Sequence, residues 1–393
     1  MHGANLTPGR FEGRPAIDRQ FCDEAIRFVL GKIDANLDAF GDAFPAPVSK
    51  GNVYPTIPNN YWTTSFWTGM LWLAYEITDE QKYRHLAERH LESFKHRLEA
   101  RIATDTHDLG FLYILSCMAE YKITGQTRAK ETALAAADLM MTRYFDKAGI
   151  IQAWGNLNDP TERGRMIIDC CMNLPLLYWA TKITGNPVYH SAALRHAEQS
   201  ATYLVRPDGT TYHTFYMDTE TGAPRFGRTN QGYSDTSCWS RGQAWGIYGF
   251  ALSYFYTGES SFLSMAKRLA NYFLDRLPAD SVCYWDLIFT SGDQERDSSA
   301  AAIAACGLFE LNKHLPLTDP DRKRYENAAL EVLRSLANNY TSKSDPKSNG
   351  ILLHSVYAKT ANQGVDECSI WGDYFYFEAL VRASRSWRPY WCS

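Results

Sequence analysis

Apolar residues recur at intervals of three and four along most of the chain, which is the spacing typical of amphipathic helices. Glycine, proline and aspartate interrupt this pattern and mark the ends of the predicted helices. Three apolar helices end almost alike, in Tyr-Lys-Ile-Thr-Gly at 121–125, Thr-Lys-Ile-Thr-Gly at 181–185 and Tyr-Phe-Tyr-Thr-Gly at 254–258. Because glycine directly after a helix is a common C-terminal signal, the repeated ending predicts a repeated helical unit.

Each unit consists of an apolar helix, a short turn and an amphipathic helix rich in Ala, His, Arg and Glu. The predicted apolar helices are Ser65–Thr78, Phe111–Gly125, Met172–Gly185, Gln243–Gly258, Ser298–Asn312 and Trp371–Ser384. The predicted amphipathic helices are Tyr83–Leu98, Ala129–Tyr144, Tyr189–Leu204, Phe262–Leu274 and Asp321–Asn339. The last apolar helix has no partner after it, whereas the chain begins with an unpaired helix, Asp18–Phe40.

The pairing of the first helix with the last decides between two architectures. Twelve helices that form six hairpins can close into an all-α ring, an (α/α)6 barrel, or stack as an open solenoid. The matched ends favour the ring, with the apolar helices inside and the amphipathic helices outside. We therefore predict an N-terminal tail over residues 1–17 and a single catalytic domain over residues 18–393.

The lengths of the connections indicate where the functional site lies. Turns from an inner to an outer helix are short, as in Thr78–Lys82. The connections that lead back to an inner helix are long, and they include Phe145–Arg165, Arg206–Arg241, Pro278–Arg296 and Tyr340–Ile370. Long structured loops often carry function, and all of these lie at one end of the ring. We expect the site there, above the N-termini of the inner helices.

Acidic or polar residues stand at the starts of most inner helices, namely Asp108, Asp169, Gln243, Asp297 and Asp373. Aspartate is a favoured N-cap, and spacing alone fits that interpretation for each of them. Asp108 and Asp169, however, occupy equivalent positions in successive hairpins, and neighbouring inner helices lie about 10 Å apart. Their carboxylates should converge on one cavity, an arrangement typical of glycoside chemistry. A helix N-terminus lowers the pKa of a carboxyl group, so a general acid there needs burial or a like-charged neighbour.

The aromatic fraction, 14% with 11 Trp and 24 Tyr, supports a sugar ligand. The long loops and helix starts carry Tyr61, Trp62, Trp154, Tyr233, Trp239, Trp245, Tyr284, Trp285 and Trp371. Aromatic faces can stack on sugar rings, or they can fill the interior of the ring, and both interpretations remain open. His213 follows the turn signal Pro207-Asp-Gly and is predicted to lie in a loop.

Charge and composition exclude several other classes of function. The formal net charge of −4 argues against a nucleic-acid partner or an anionic membrane. The chain contains no uninterrupted stretch of about 20 apolar residues, so no membrane-spanning helix is predicted. The nine cysteines contain no Cys-x-x-Cys pair, and no secretory signal is visible, so we expect reduced thiols and a cytoplasmic protein. No metal-ligand pair or glycine-rich phosphate loop is present, and we predict neither a metal nor a cofactor.

Several motifs resemble those of the unsaturated glucuronyl hydrolases, glycoside hydrolase family 88, in both order and spacing. They are Ser65-Phe-Trp-Thr-Gly-Met, His107-Asp-Leu-Gly-Phe, Ile167-Ile-Asp-Cys, Asn173-Leu-Pro-Leu-Leu-Tyr-Trp-Ala, Tyr212-His-Thr-Phe, Gln231-Gly-Tyr, Trp239-Ser-Arg-Gly-Gln-Ala-Trp-Gly-Ile-Tyr-Gly and Arg296-Asp-Ser-Ser-Ala. The resemblance extends from Asn60 to Arg382, nearly the whole chain.

The resemblance implies an (α/α)6 barrel, in agreement with the helix count. It implies small oligosaccharide substrates left by polysaccharide lyases, with a Δ4,5-unsaturated uronic acid at the non-reducing end. It also implies an unusual hydrolysis. An acid protonates C4 of the enol ether, water adds at C5, and the resulting hemiketal opens and releases the next sugar.

The resemblance also assigns roles to residues. Asp169 would be the general acid and base, and Asp108 would hold sugar hydroxyls and raise the pKa of Asp169 by like charge. The implied substrate-binding residues are His107, His213, Gln231 and Arg241 as polar groups, Trp62, Trp239 and Trp245 as stacking walls, and Lys359. Arg241 would suit bidentate binding of the uronate carboxylate. Lys359 would meet the next sugar and its sulfate, and a solvated surface lysine is the alternative interpretation.

Two other functions remain open. One is an unsaturated rhamnogalacturonyl hydrolase, with the same ring and chemistry but a pectin-derived substrate. The other is a sugar-binding toroid without catalysis, which the presence of both aspartates argues against.

Overall fold

The computed structural model describes residues 9–13, 15 and 17–392. Its twelve long helical segments are numbered α1 to α12 in chain order. The odd-numbered helices are α1 (Arg19–Phe40), α3 (Gln81–Glu99), α5 (Thr127–Met141), α7 (Pro187–Gln199, continued by the π-helical turn Ser200–Leu204), α9 (Ser260–Asp275) and α11 (Arg322–Asn339). The even-numbered helices are α2 (Thr64–Thr78), α4 (Leu109–Tyr113, π-helical Ile114–Met118 and Ala119–Thr124), α6 (the 3₁₀ turn Ile168–Met172, then Pro175–Thr184), α8 (Ser240–Thr257), α10 (Ser298–His314) and α12 (Ile370–Ser384).

The even-numbered helices form a closed inner ring. Each contacts the next one along the chain, and α12 contacts α2. Helix α1 packs on both α12 and α2, so the first helix joins the two ends of the ring. The inner helices are apolar on all sides, as α8 illustrates by being buried from Ser240 through Ser253. The predicted all-α (α/α)6 barrel is confirmed, and the open solenoid is not what forms.

The repeated sequence ending marks the same structural event in three inner helices. Helices α4, α6 and α8 each stop at a glycine in the left-handed conformation, with φ of 73° at Gly125, 74° at Gly185 and 72° at Gly258. Glycine adopts this conformation without a steric penalty from Cβ. Helix α2 ends in the same way at Asp79, with φ of 59°.

Short antiparallel strands order the long loops at one end of the ring. The pairs are β1 (Phe44–Pro45) with β2 (Thr56–Ile57), β3 (Tyr144–Phe145) with β4 (Ile150–Ile151), and β8 (Ser355–Ala358) with β9 (Gln363–Glu367), and a three-stranded sheet joins β5 (Arg165–Ile167), β6 (Thr214–Met217) and β7 (Pro224–Arg228). In the three-stranded sheet Ile167 pairs with Thr214. The N–H of Ile168 donates to the carbonyl of His213 at 3.2 Å, which brings His213 beside the start of α6.

A column of aromatic side chains fills the ring between its two ends. Trp245 lies between Phe111 and Phe375, with ring centroids 5.2 and 5.3 Å away. Below them Trp391 stacks on Phe375 at 5.9 Å and is fully buried. Residues 385–392 after α12 carry Trp391 back under the ring, where Lys122 Nζ donates to the carbonyls of this segment. This end of the barrel is therefore closed by the chain itself.

The predicted N-terminal tail, residues 1–17, falls largely outside the described residues. Its described part is docked, because Asn327 Nδ2 on α11 donates to the carbonyls of Phe11 and Glu12 at 3.0 and 3.2 Å. None of the helices in the described part of the chain combines the length and apolarity needed to cross a membrane.

Candidate active site

A cavity of about 340 Å³ opens among the long loops above the N-termini of the inner helices. It is lined by Trp62, His107, Asp108, Trp154, Asp169, His213, Asn230, Gln231, Trp239, Arg241, Tyr357, Ala358, Ala361 and Gln363. The structure thus brings together eight of the ten site residues predicted from the sequence, and leaves Trp245 and Lys359 outside the lining.

Asp169 stands in the 3₁₀ turn that opens α6 and remains partly accessible from the cavity. Its Oδ1 atom is buried and has no hydrogen-bond partner among the described residues. The pKa of this carboxyl group is raised to about 7, chiefly by burial; the charge of Asp108 contributes to the increase, and His107 and Arg241 act in the opposite direction. Burial therefore overcomes the effect of a helix N-terminus, as a general acid requires.

The two carboxylates converge because α4 and α6 approach each other unusually closely. A Cβ at Gly110 would lie only 2.4 Å from the Cα of Asn173, so glycine is needed at this contact. Asn173 Oδ1 accepts the N–H of Phe111 at 2.6 Å, and its Nδ2 donates to the carbonyl of Asp169 at 3.2 Å. One side chain thereby fixes the start of α4 against the start of α6.

Asp108 does not cap α4 through its side chain. Its Oδ2 accepts the hydroxyl of Thr106 at 2.8 Å, and its Oδ1 lies 3.3 Å from Nε2 of the buried His107. The carboxylate is 14% exposed and faces the cavity. Asp108 is therefore held by its own loop and available to a ligand.

The other three residues that open inner helices serve the fold. Only Asp297 is a cap, because its Oδ1 accepts the N–H groups of Ser299 and Ala300. Gln243 Nε2 donates to the carbonyls of Gly209 and Leu269 at 2.8 and 3.1 Å. The carboxylate of Asp373 is fully occupied by two backbone N–H groups of the last long loop and the Tyr54 hydroxyl. Of the five residues predicted to open inner helices, only one therefore acts as an N-cap through its side chain.

His213 is a fixed neutral hydrogen-bond donor. Its Nδ1 accepts the N–H groups of Asn230 and Gln231, both at 3.0 Å, which leaves the ring proton on Nε2. Burial lowers the pKa of this imidazole well below its ordinary value, and the positive charge of Arg241 adds to that effect. The ring also packs against Trp239, with centroids 4.3 Å apart.

Arg241 organises the loops around the cavity. Its Nη1 donates to Asp297 Oδ2 at 3.1 Å and to the carbonyl of Val356 at 2.5 Å. Its Nη2 donates to Gln231 Oε1 at 2.6 Å and to the carbonyl of Tyr357 at 2.7 Å. The terminal N–H groups expected to hold a substrate carboxylate are thus used within the protein. This corrects the bidentate expectation: Arg241 binds the Gln231 amide through its oxygen, and the N–H groups of that amide donate to no acceptor among the described residues.

The aromatic candidates divide between wall and core. Trp62 and Trp239 line the cavity, and the Trp62 indole N–H donates to the Tyr357 hydroxyl at 3.1 Å. Trp245 does not reach the cavity, because it belongs to the aromatic column and is 0% exposed. Its expected role as a stacking wall is therefore replaced by a role in packing beneath the floor.

Lys359 lies just beyond the mouth of the cavity. Its neighbours in the chain, Ala358 and Ala361, line the cavity, whereas its own ammonium pairs with Glu295 and is 31% exposed. Among the described residues, no three His, Cys, Asp or Glu side chains come close enough together to hold a metal ion.

Comparison with known proteins identifies the family. The profile of Glycosyl Hydrolase Family 88 matches residues 37–382, which include every residue of the cavity. The chain belongs to this family. It is therefore a glycoside hydrolase, and the resemblance inferred from the sequence motifs is confirmed.

Individual members of family 88 are similar to this chain along almost their entire length. The chain is 47% identical over 386 residues to the unsaturated chondroitin disaccharide hydrolase of Streptococcus pneumoniae, covering 98% of this chain and 97% of that one. The crystal structure of unsaturated glucuronyl hydrolase from Streptococcus agalactiae matches with a TM-score of 0.94 and 45% identity, over 100% of both chains. A mutant of that enzyme complexed with dGlcA-GalNAc6S matches with a TM-score of 0.86 and 42% identity, over 98% of this chain and 100% of that one.

Six further cavity residues of this family 88 chain were not among the predicted site residues: Trp154, Asn230, Tyr357, Ala358, Ala361 and Gln363. Trp154 was visible as a loop aromatic, and Asn230 directly precedes Gln231. Tyr357 and Gln363 come from the hairpin of β8 and β9, which lies in the long connection Tyr340–Ile370 that the sequence assigns to this end of the ring, but no motif singles out these two residues.

Proposed function

We propose that this chain hydrolyses unsaturated glucuronyl disaccharides of the glycosaminoglycan type, by hydrating the C4=C5 enol ether of the terminal uronate. The observation that carries the proposal is Asp169, a carboxyl group with a pKa of about 7 that lines the cavity beside the second carboxylate, that of Asp108. Family membership and the names of the relatives support the same reaction.

The chemistry begins with Asp169 in its protonated form. The carboxyl group transfers its proton to C4, and positive charge develops at C5 and the ring oxygen. The Asp169 carboxylate then accepts a proton from the water whose oxygen attacks C5. The resulting hemiketal opens at the bond between C5 and the ring oxygen, C1 releases the next sugar as an alcohol, and the acid is regenerated.

The surrounding groups bind the uronate and leave Asp169 free to react. His213 Nε2–H and the Gln231 amide are neutral donors for the carboxylate and hydroxyls, and Arg241, which is itself paired with Asp297, holds the Gln231 amide in place. Asp108 accepts from sugar hydroxyls and, by like charge, keeps the Asp169 proton in place. Trp62 and Trp239 give the ring apolar faces on which to pack.

A substrate panel tests the proposal. Turnover is followed by the loss of ultraviolet absorbance of the C=C bond, with unsaturated chondroitin, hyaluronan and rhamnogalacturonan disaccharides, sulfated and unsulfated. We expect the glycosaminoglycan-derived disaccharides to react fastest. Rapid turnover of the pectin-derived disaccharide alone would favour a rhamnogalacturonyl hydrolase, and calorimetric binding without any absorbance change would indicate a sugar-binding toroid.

Two further assignments belong to this proposal. Residues 18–393 form one catalytic domain, which is supported by the continuous ring from α1 to α12. The protein works in the reducing cytoplasm, which is supported by nine buried cysteines that are all free thiols. Limited proteolysis that releases no stable fragment would support the first assignment, and full activity in millimolar thiol is expected from the second.

A further inference from the structure

The loop that carries Gln231 continues past the cavity onto an exposed aromatic surface. Tyr233 is 57% exposed, and its ring stands edge-on to Phe289 and Trp285, with centroids 5.2 and 6.2 Å away. Ile288, 47% exposed, extends this surface. We name the exposed Tyr233 and Ile288, the half-buried Phe289 and the buried Trp285 that supports them the aromatic rim. None of these side chains has a part in the proposed chemistry.

One buried carboxylate holds both halves of the aromatic rim. Asp286 Oδ2 accepts the N–H of Tyr233 at 2.9 Å, and Asp286 Oδ1 accepts the N–H of Ile288 at 3.1 Å. The intervening Gly232 is tightly packed, since a Cβ there would lie 2.6 Å from the Thr229 hydroxyl. The rim is therefore ordered before any ligand arrives, which reduces the entropy lost on binding.

The aromatic rim is continuous with the mouth of the cavity. On one side it follows the cavity residue Gln231 by two positions. On the other side Lys359, next to the cavity residue Ala358, pairs with Glu295, and the carbonyl of Glu295 accepts the N–H of Trp285 at 3.0 Å. A ligand that extends out of the cavity across this edge meets the rim directly.

We propose that the aromatic rim is an outer sugar subsite, at which Tyr233 stacks on a unit of an unsaturated oligosaccharide longer than a disaccharide. The proposal rests on the function proposed above, because that function places the unsaturated uronate on the cavity floor and directs the rest of the chain outward. The exposed face of Tyr233 suits the C–H groups of a sugar ring, and its solvent-facing hydroxyl can bond to a sugar hydroxyl. The rim therefore extends recognition beyond the disaccharide.

The test compares kcat/KM for an unsaturated disaccharide and an unsaturated tetrasaccharide from the same polymer. In Tyr233→Ala, we expect the ratio of the tetrasaccharide value to the disaccharide value to fall about three- to tenfold, as loss of one aromatic contact predicts. Tyr233→Phe, which retains the stacking face, should keep the ratio within about twofold of the parent. Leu317→Ala is the matched control, because Leu317 is also exposed (86%) but lies at the opposite end of the ring.

The outcomes separate this proposal from the one on which it rests. An unchanged ratio in Tyr233→Ala, or an equal loss with both substrates, would overturn the outer subsite. If the parent protein turns over neither substrate, the proposed function itself is wrong. Melting temperatures of the variants show whether any loss reflects unfolding, and the ratio stays informative because both substrates are assayed on the same protein sample.

Discussion

Asp169 and Asp373 stand near the starts of two inner helices, and burial raises the pKa of each carboxyl group to about 7. Their surroundings differ. Asp373 is sealed from solvent and accepts hydrogen bonds from Ile351, Leu352 and Tyr54, which join the last long loop to the ring. Asp169 instead lines a cavity, and its Oδ1 atom accepts no hydrogen bond from a described residue. A shifted pKa alone therefore does not identify a catalytic acid, whereas a shifted pKa in a carboxyl group that a ligand can reach does.

The largest expected effect is on turnover, and it should be seen when Asp169 is replaced but not when Asp373 is replaced. Asp169→Asn should reduce turnover about 10³- to 10⁴-fold, because the amide can neither protonate C4 nor accept a proton from water. Asp373→Asn should keep kcat within about threefold and instead lose about 1–3 kcal/mol of stability, since one backbone N–H loses its acceptor. Ultraviolet assays and denaturant unfolding of both variants check this. Comparable turnover in the two variants would contradict the assignment of Asp169.

The second effect concerns the like-charged neighbour that only Asp169 has in the cavity. Asp108→Asn should slow turnover about a hundredfold through lost contacts to the sugar. It should also lower the pKa of Asp169, because the charge of Asp108 raises it. The parent kcat/KM should decline above pH 7, where Asp169 becomes ionised, and in the variant that decline should begin at lower pH. A pH–rate profile that keeps its alkaline limb unchanged would show that Asp108 does not act on the acid.

The third effect is on the pH dependence of stability. A carboxyl group whose pKa is higher in the folded than in the unfolded protein lowers the free energy of unfolding once it is ionised, and this destabilisation grows as the pH rises from about 4 to 7. Asp169→Asn removes the destabilisation without breaking a hydrogen bond. We expect the free energy of unfolding of the variant to exceed that of the parent by about 2–4 kcal/mol at pH 8 and by almost nothing at pH 4. Denaturant midpoints measured at both pH values provide the check, and a gain independent of pH would contradict the electrostatic origin.

The smallest effect isolates one partner of Asp373. Tyr54→Phe removes the hydroxyl that donates to Asp373 at 3.0 Å, and should cost about 1 kcal/mol of stability. The pH–rate profile should not move, because Asp373 takes no part in the reaction. Differential scanning calorimetry and the same activity assay suffice. A displaced alkaline limb in Tyr54→Phe would show that the two carboxyl groups are coupled.

The ring was predictable from local signals, because the helical period, the terminal glycines and the loop lengths all report on short stretches of chain. The convergence of Asp108 and Asp169 on one cavity was also predictable, since repeat position carries spatial information once the ring is inferred. The role of each helix-opening residue was not predictable. Whether an aspartate caps its helix, as Asp297 does, or binds a distant loop, as Asp373 does, depends on contacts made far along the chain.

The same limit explains the corrections at Arg241 and Trp245. Arg241 donates to the carbonyls of Val356 and Tyr357, more than a hundred residues away, which only the folded loops reveal. Trp239 and Trp245 are six residues apart, which turns the second about 240° around a helix from the first. One indole therefore reaches the cavity while the other enters the aromatic column.

The aromatic column and Trp391 give the described barrel a blind end, so the cavity is entered and left by the same opening. Under the proposed reaction, the released sugar alcohol lies nearer that opening than the keto acid formed on the floor. The alcohol must depart first, and the keto acid is the product that dissociates from an otherwise empty site. The keto acid should therefore compete with substrate for the free enzyme, whereas the alcohol should not compete in this way. The closed end of the ring thus determines which of the two products inhibits the reaction by competing with substrate.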